Sequence, residues 1–115
     1  MTVEIYHNPK CSKSRQTLAL LETKGIKPKV RLYLQEAPSR AELQDVLKKL
    51  KIPAAALLRT GEEIYKNLVT KEGKPDDKKA LEWMIQHPIL IERPIVIKGN
   101  RAKIGRPPED VLDIL

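Results

Sequence analysis

The sequence predicts an α/β protein: a two-layer fold on a four-stranded mixed sheet, with a helical insertion in the middle of the chain. Three stretches predict it. Val3-Glu4-Ile5-Tyr6 alternates, a helical pattern follows over 12–24, and Pro28 to Leu34 alternates again. That strand–helix–strand start implies a right-handed crossover and a parallel pair. Near the other end, Ile95-Val96-Ile97 and Ala102-Lys103-Ile104 flank Gly99-Asn100, a two-residue hairpin turn between antiparallel strands. Between these halves, about 39–88 is mostly helical in spacing. Helices layered on a mixed sheet are the natural assembly.

Each element has local signals. Asn8-Pro9 is a turn after the first strand. The first helix has Thr17-Leu18-Ala19-Leu20-Leu21-Glu22 and no breaker until Gly25, which suits a C-cap. Ser12 is its first residue or its cap. Ala37-Pro38-Ser39 ends the second strand, and Ser39 with Glu42 makes a capping box for a helix over 39–51. Ala41, Leu43, Val46, Leu47 and Leu50 mark one face of that helix. Ile52-Pro53 breaks it. A short apolar turn, Ala54 to Leu58, precedes a helical stretch over 62–69 and a loop at Glu72-Gly73-Lys74-Pro75. Asp76 caps another helix, with Ala80, Leu81, Met84 and Ile85 inward and Trp83 at its edge. His87-Pro88 ends it, and His87 at a helix C-terminus reads as structural. A loop leads to the third strand. Gly105-Arg106-Pro107-Pro108 opens a last helix, with Val111, Leu112 and Leu115 inward. No repeat, low-complexity tract or linker interrupts the chain, so 1–115 reads as a single domain.

Composition narrows the function. An apolar share of 41% over 115 residues supports a packed core. No apolar run approaches the ~20 residues of a membrane span, and no signal-peptide stretch opens the chain. One cysteine cannot form an internal disulfide and fits a reducing cytoplasm. The net charge is +7, from 22 Lys and Arg against 15 Asp and Glu. Nucleic acid is nevertheless not the expected partner, because 3 Tyr, 1 Trp and no Phe supply few stacking platforms. No zinc-finger, Rossmann or P-loop pattern is present, and no metal site or bound cofactor is expected.

The chemistry gathers at His7-Asn8-Pro9-Lys10-Cys11-Ser12-Lys13-Ser14-Arg15. Cys11 falls at a strand–loop–helix junction. The free N–H groups and positive dipole of a first helical turn stabilise an anion, and a thiolate is one, so its pKa should fall below about 8.5. Lys10, Lys13 and Arg15 push the same way. The Ser14 hydroxyl can turn toward the sulfur. His7 is a structural hydrogen-bonder or a donor to the thiol. A lone cysteine is ordinarily a small buried hydrophobe, but these neighbours are polar and basic and no apolar stripe includes Cys11. A candidate redox thiol after the first strand, and Pro94 before the third, match the thioredoxin layout, with the helical segment as an insertion.

Arg59, Arg93 and Arg106 each lie where a loop meets an element, near Gly61, Pro94, Gly105 and Pro107. Their planar forks give paired hydrogen bonds to a tetrahedral oxyanion and keep their charge. Each alone reads as a solvated or salt-bridged arginine; three at loop junctions read as an anion site. A tyrosine-phosphatase-type loop needs an arginine six residues after Cys11, where this chain has Thr17.

With these stretches, and with Leu57-Leu58-Arg59-Thr60, His87-Pro88-Ile89-Leu90-Ile91-Glu92-Arg93-Pro94-Ile95-Val96 and Gly105-Arg106-Pro107-Pro108, the chain resembles the glutaredoxin-coupled arsenate reductase family (the ArsC/Spx/YffB group) along essentially its whole length. The resemblance implies a thioredoxin-like fold and glutathione/glutaredoxin-dependent reduction of arsenate to arsenite. Cys11 would be the nucleophile, Arg59, Arg93 and Arg106 the oxyanion site, and Asn8, Ser12, Arg15 and a cis Pro94 supporting residues. His7 and Ser14 would help ionise the thiol. Glutathione would be a co-substrate, glutaredoxin a partner, and the protein a monomer. The alternatives are an Spx-like regulator that binds RNA polymerase, and a generic glutathione-dependent thiol reductase. The Spx branch carries a Cys-x-x-Cys switch, whose second position is Ser14 here.

Overall fold

The computed structural model describes residues 2–115. The chain divides into two compact units, one of residues 2–36 with Arg93–Leu115, the other Ala37–Glu92.

The first unit is built on a four-stranded sheet of β1 (Val3–Tyr6), β2 (Lys29–Arg31), β3 (Ile95–Lys98) and β4 (Arg101–Ile104), ordered β2-β1-β3-β4. β1 runs parallel to β2 and antiparallel to β3, and β3 is antiparallel to β4. Ile5 stands opposite Val30 on one side and Val96 on the other. The sheet is mixed, as the two ends of the sequence predict. Alternation sends Val3, Ile5 and Val96 to one face, where they form a core with Leu21 of helix α1 (Ser12–Thr23) and with Val111 and Ile114 of a C-terminal 3-10 helix (Pro108–Ile114). Truncating one of these side chains, as in Ile5→Ala, costs about 2–5 kcal/mol.

Helix α1 ends one residue short of expectation. Gly25, at φ 76°, donates to Glu22 and Ile26 donates to Leu21, the paired bonds that close a helix through a left-handed residue. Two elements differ more. Strand β2 stops at Arg31, because Gln35 and Glu36 both donate back to the Leu32 carbonyl and turn the chain. The last helix is 3-10 and not α. Pro107 and Pro108 bring no N–H, and Asp110 bonds Pro107 three residues back, the tighter geometry short helices use.

The helical unit contains α2 (Arg40–Leu50), α3 (Glu63–Glu72) and α4 (Asp77–Gln86), with 3-10 turns at Ala54–Leu57 and Pro88–Leu90. Both caps read from sequence are present: the Ser39–Glu42 box and Asp76 accepting from the Lys79 N–H. α3 runs on to Glu72, with no fully buried residue. Trp83 is not at an edge. It is 3% exposed and meets Tyr65 edge-on at 6.0 Å, and with Ala80 and Met84 it forms the buried face of α4. A large ring on a short helix gains more from burial than the half-buried Leu81 and Ile85.

Candidate active site

Strand β1 carries the polar residues His7 and Asn8 into the interior, where both are buried. The Asn8 carbonyl accepts from the Cys11 N–H at 3.0 Å, and its Oδ1 accepts from the Lys10 N–H at 3.0 Å. These bonds close the loop and set Cys11 as the N-cap of α1, with an extended backbone and no side-chain cap bond. Ser12 is the first helical residue. A cysteine so placed leaves its sulfur beside the unpaired amides of the first turn.

Burial pushes the Cys11 thiol up. The Ser14 N–H, the hydrogen bond and charge of the Arg93 guanidinium, and the Lys13 N–H together pull it further down, and the thiol rests below its ordinary value. Arg106 Nη1 lies 4.0 Å from the sulfur and donates to the Arg93 carbonyl at 3.0 Å. Cys11, Arg93 and Arg106 are therefore together, on a helix start and on the loops that bound β3 and β4. The Arg93–Pro94 bond is cis, as expected; the Arg106–Pro107 bond is cis too, which sequence reading did not foresee.

Ser14 is used differently from the expectation. Its hydroxyl is fully buried, 2.7 Å from His7 Nδ1, and accepts the Asn8 N–H at 3.0 Å. The hydroxyl is spent on that buried pair, so the thiolate gains the Ser14 amide and not its side chain. Burial first, and the Arg15 charge second, hold the His7 imidazole below its ordinary pKa. At neutral pH His7 is thus a neutral hydrogen-bonding group. Arg15 also donates to the Pro9 carbonyl at 2.9 Å and holds the loop against the helix.

A half-exposed thiol with amides and two guanidiniums around it is suited to meet an oxyanion. The ArsC family model matches residues 6–114. The chain belongs to the ArsC family. It is 53% identical to an arsenate reductase of Haemophilus influenzae, over the whole of both chains. It is 46% identical to the uncharacterized protein YfgD of Escherichia coli, across 98% of this chain and 96% of that one. An arsenate reductase structure from Vibrio cholerae superposes with a TM-score of 0.93 at 50% identity, covering 100% of this chain and 98% of its own. The fold is that of the thioredoxin-like ArsC proteins, carrying a helical insertion.

Arg59 belongs to the helical unit. Its Nη1 donates to Glu92 Oε1 at 2.7 Å, its Nε lies 3.7 Å from Glu62 Oε1, and its N–H donates to the Leu90 carbonyl at 2.8 Å. An antiparallel bridge between Leu58 and Ile91 flanks it. The two carboxylates escaped sequence reading. Glu62, three residues after Arg59, was legible as an ion-pair spacing; Glu92, 33 residues away, carries no local signal. Among the described residues no group of three or more His, Cys, Asp or Glu is placed to hold a metal ion.

Proposed function

We propose that this ArsC-family protein is an arsenate reductase that uses Cys11 as its nucleophile and draws its electrons from glutathione, with glutaredoxin as partner. The observation that carries the reading is the N-cap thiol with the Arg93 and Arg106 guanidiniums about it. Relatives that share half of its sequence are named for the same reaction.

The thiolate attacks the arsenic of arsenate and an oxygen leaves as water, giving a Cys11-bound arsenate ester. Arg93 and Arg106 neutralise the oxygens as charge develops, the electrostatic part of catalysis. The same oxyanion-binding role is proposed for Arg59, a residue of the helical unit. The chain has no second cysteine, so outside thiols resolve the ester. Over one cycle two glutathione thiols become one disulfide, arsenic gains two electrons, and arsenite and water leave. His7 and Ser14 keep the loop in place and Ser14 presents its amide to the sulfur. A monomer in a reducing cytoplasm completes the proposal.

The test is arsenite formed from arsenate by the purified protein with glutathione and glutaredoxin, alongside Cys11→Ser. Turnover that is lost in Cys11→Ser supports the proposal. Equal rates in the two proteins would refute it.

A further inference from the structure

Thr17 sits on α1 at the position where a phosphatase-type loop would carry its arginine. It is fully buried. Its hydroxyl donates to the Lys13 carbonyl at 2.8 Å and stands 3.5 Å from the Gly105 carbonyl oxygen. The bond to the preceding turn is not in itself a signal, because Thr23 and Thr70 make the same bond from exposed positions. What sets Thr17 apart is the glycine it faces. A methyl placed on Gly105 would lie 2.5 Å from Thr17 Oγ1, 3.1 Å from its Cγ2 and 2.9 Å from Pro94 Cγ. No positive φ requires glycine there; room does.

Three pieces of the site meet at this contact. Gly105 donates its N–H to the Pro94 carbonyl at 2.9 Å. Arg93 precedes Pro94, Arg106 follows Gly105, and Cys11 begins the helix that carries Thr17. We propose that Thr17 and Gly105 are a positioning pair that fixes how near the Arg106 guanidinium stands to the Cys11 sulfur. The 4.0 Å between Arg106 Nη1 and Sγ is the outer reach of a sulfur contact. Any widening between α1 and the Gly105 turn passes to that distance directly, and attraction between charges falls as they separate. A threonine oxygen packs closer to a glycine carbon than a methyl does, so Oγ1 sets the spacing.

The pair rests on the reading of Cys11 and Arg106 as one anion site, and its test uses no arsenic chemistry. The charged groups to consider are Arg93 before β3, Arg106 after β4, and Lys10, Lys13 and Arg15 on the thiol's own loop and helix. The experiment measures the pH midpoint of Cys11 alkylation by iodoacetamide, with sulfate affinity and thermal unfolding, in Thr17→Val, Thr17→Ser and Gly105→Ala. Thr17→Val keeps the side-chain volume and replaces Oγ1 by a methyl. It should raise the midpoint by roughly half a unit or more and weaken sulfate binding, in a folded protein. Thr17→Ser keeps Oγ1 and should stay near the parent. Gly105→Ala should shift further than Thr17→Val; if it does not fold, the two Thr17 variants decide. A folded Thr17→Val with the parent's midpoint and sulfate affinity would overturn the proposal, and so would equal shifts in Thr17→Val and Thr17→Ser. Failure of the parent protein to form arsenite, in the separate assay of the proposed function, would count against the reductase assignment and leave the pair standing.

Discussion

Arg106 donates from Nη1 to the main-chain oxygen of Arg93 at 3.0 Å, so one guanidinium of the site hangs on the residue that bears the other. The two cations are held side by side near one sulfur by a backbone contact.

Arg93→Lys and Arg106→Lys keep a charge and lose the fork. Each should weaken binding of arsenate or sulfate by roughly 10–100-fold, the loss of one charge-assisted hydrogen bond. Arg59→Lys is expected to do the same if the proposed third guanidinium is correct. Isothermal titration with sulfate measures it; three variants that titrate like the parent would place the anion elsewhere.

Cys11 should react as a thiolate below the usual thiol range. Its pKa is lowered in the folded protein, so alkylation stays fast at pH values where a free thiol is protonated and fades only as pH falls through the depressed value. The midpoint should lie below about 8.5 and move up in Arg93→Lys. A midpoint at or above the free-thiol value contradicts the activated sulfur.

Ser14→Ala separates the two parts Ser14 plays. It leaves the Asn8 N–H without its oxygen acceptor in the interior and should cost about 1–3 kcal/mol of stability. The Ser14 amide remains, so the Cys11 midpoint should move less than in Arg93→Lys. Denaturant unfolding and alkylation rates read the two separately. A larger shift of the thiol in Ser14→Ala than in Arg93→Lys would mean that the hydroxyl, and not the amide, serves the sulfur.

The His7 imidazole should titrate below 6.5 by NMR, because burial and then Arg15 disfavour its charged form. The sign for stability follows. Above 6.5 both states are neutral at this residue and its contribution is intact. As pH falls below 6.5 the unfolded chain takes up a proton that the folded chain refuses, so stability declines until the folded value is passed. His7→Gln should flatten that part of the pH–stability curve.

Much of this was legible because local rules carried it. Val3–Tyr6, the Gly25 stop, the Ser39–Glu42 box, the Asp76 cap and the Gly99-Asn100 hairpin are each decided within a few residues. The position of Cys11 at a helix start follows from the same spacing. The failures are non-local. Nothing in Leu32-Tyr33-Leu34 says that Glu36 will fold back on Leu32 and end β2 early. Trp83 reads as an edge residue until Tyr65 is packed against it. The aim of the Ser14 hydroxyl depends on β1 placing His7 beside it, and the value of Thr17 depends on Gly105, 88 residues away.

In the proposed reaction Cys11 attacks arsenate, and outside thiols must release the product. With one cysteine in the chain, no internal disulfide arises for thioredoxin to reduce. The most direct measurement is arsenite released per enzyme molecule with each reductant supplied alone. Many turnovers with glutathione and glutaredoxin, and little with thioredoxin and its reductase, is the predicted result. Sustained turnover on thioredoxin without glutathione, or none with any thiol system, would contradict it.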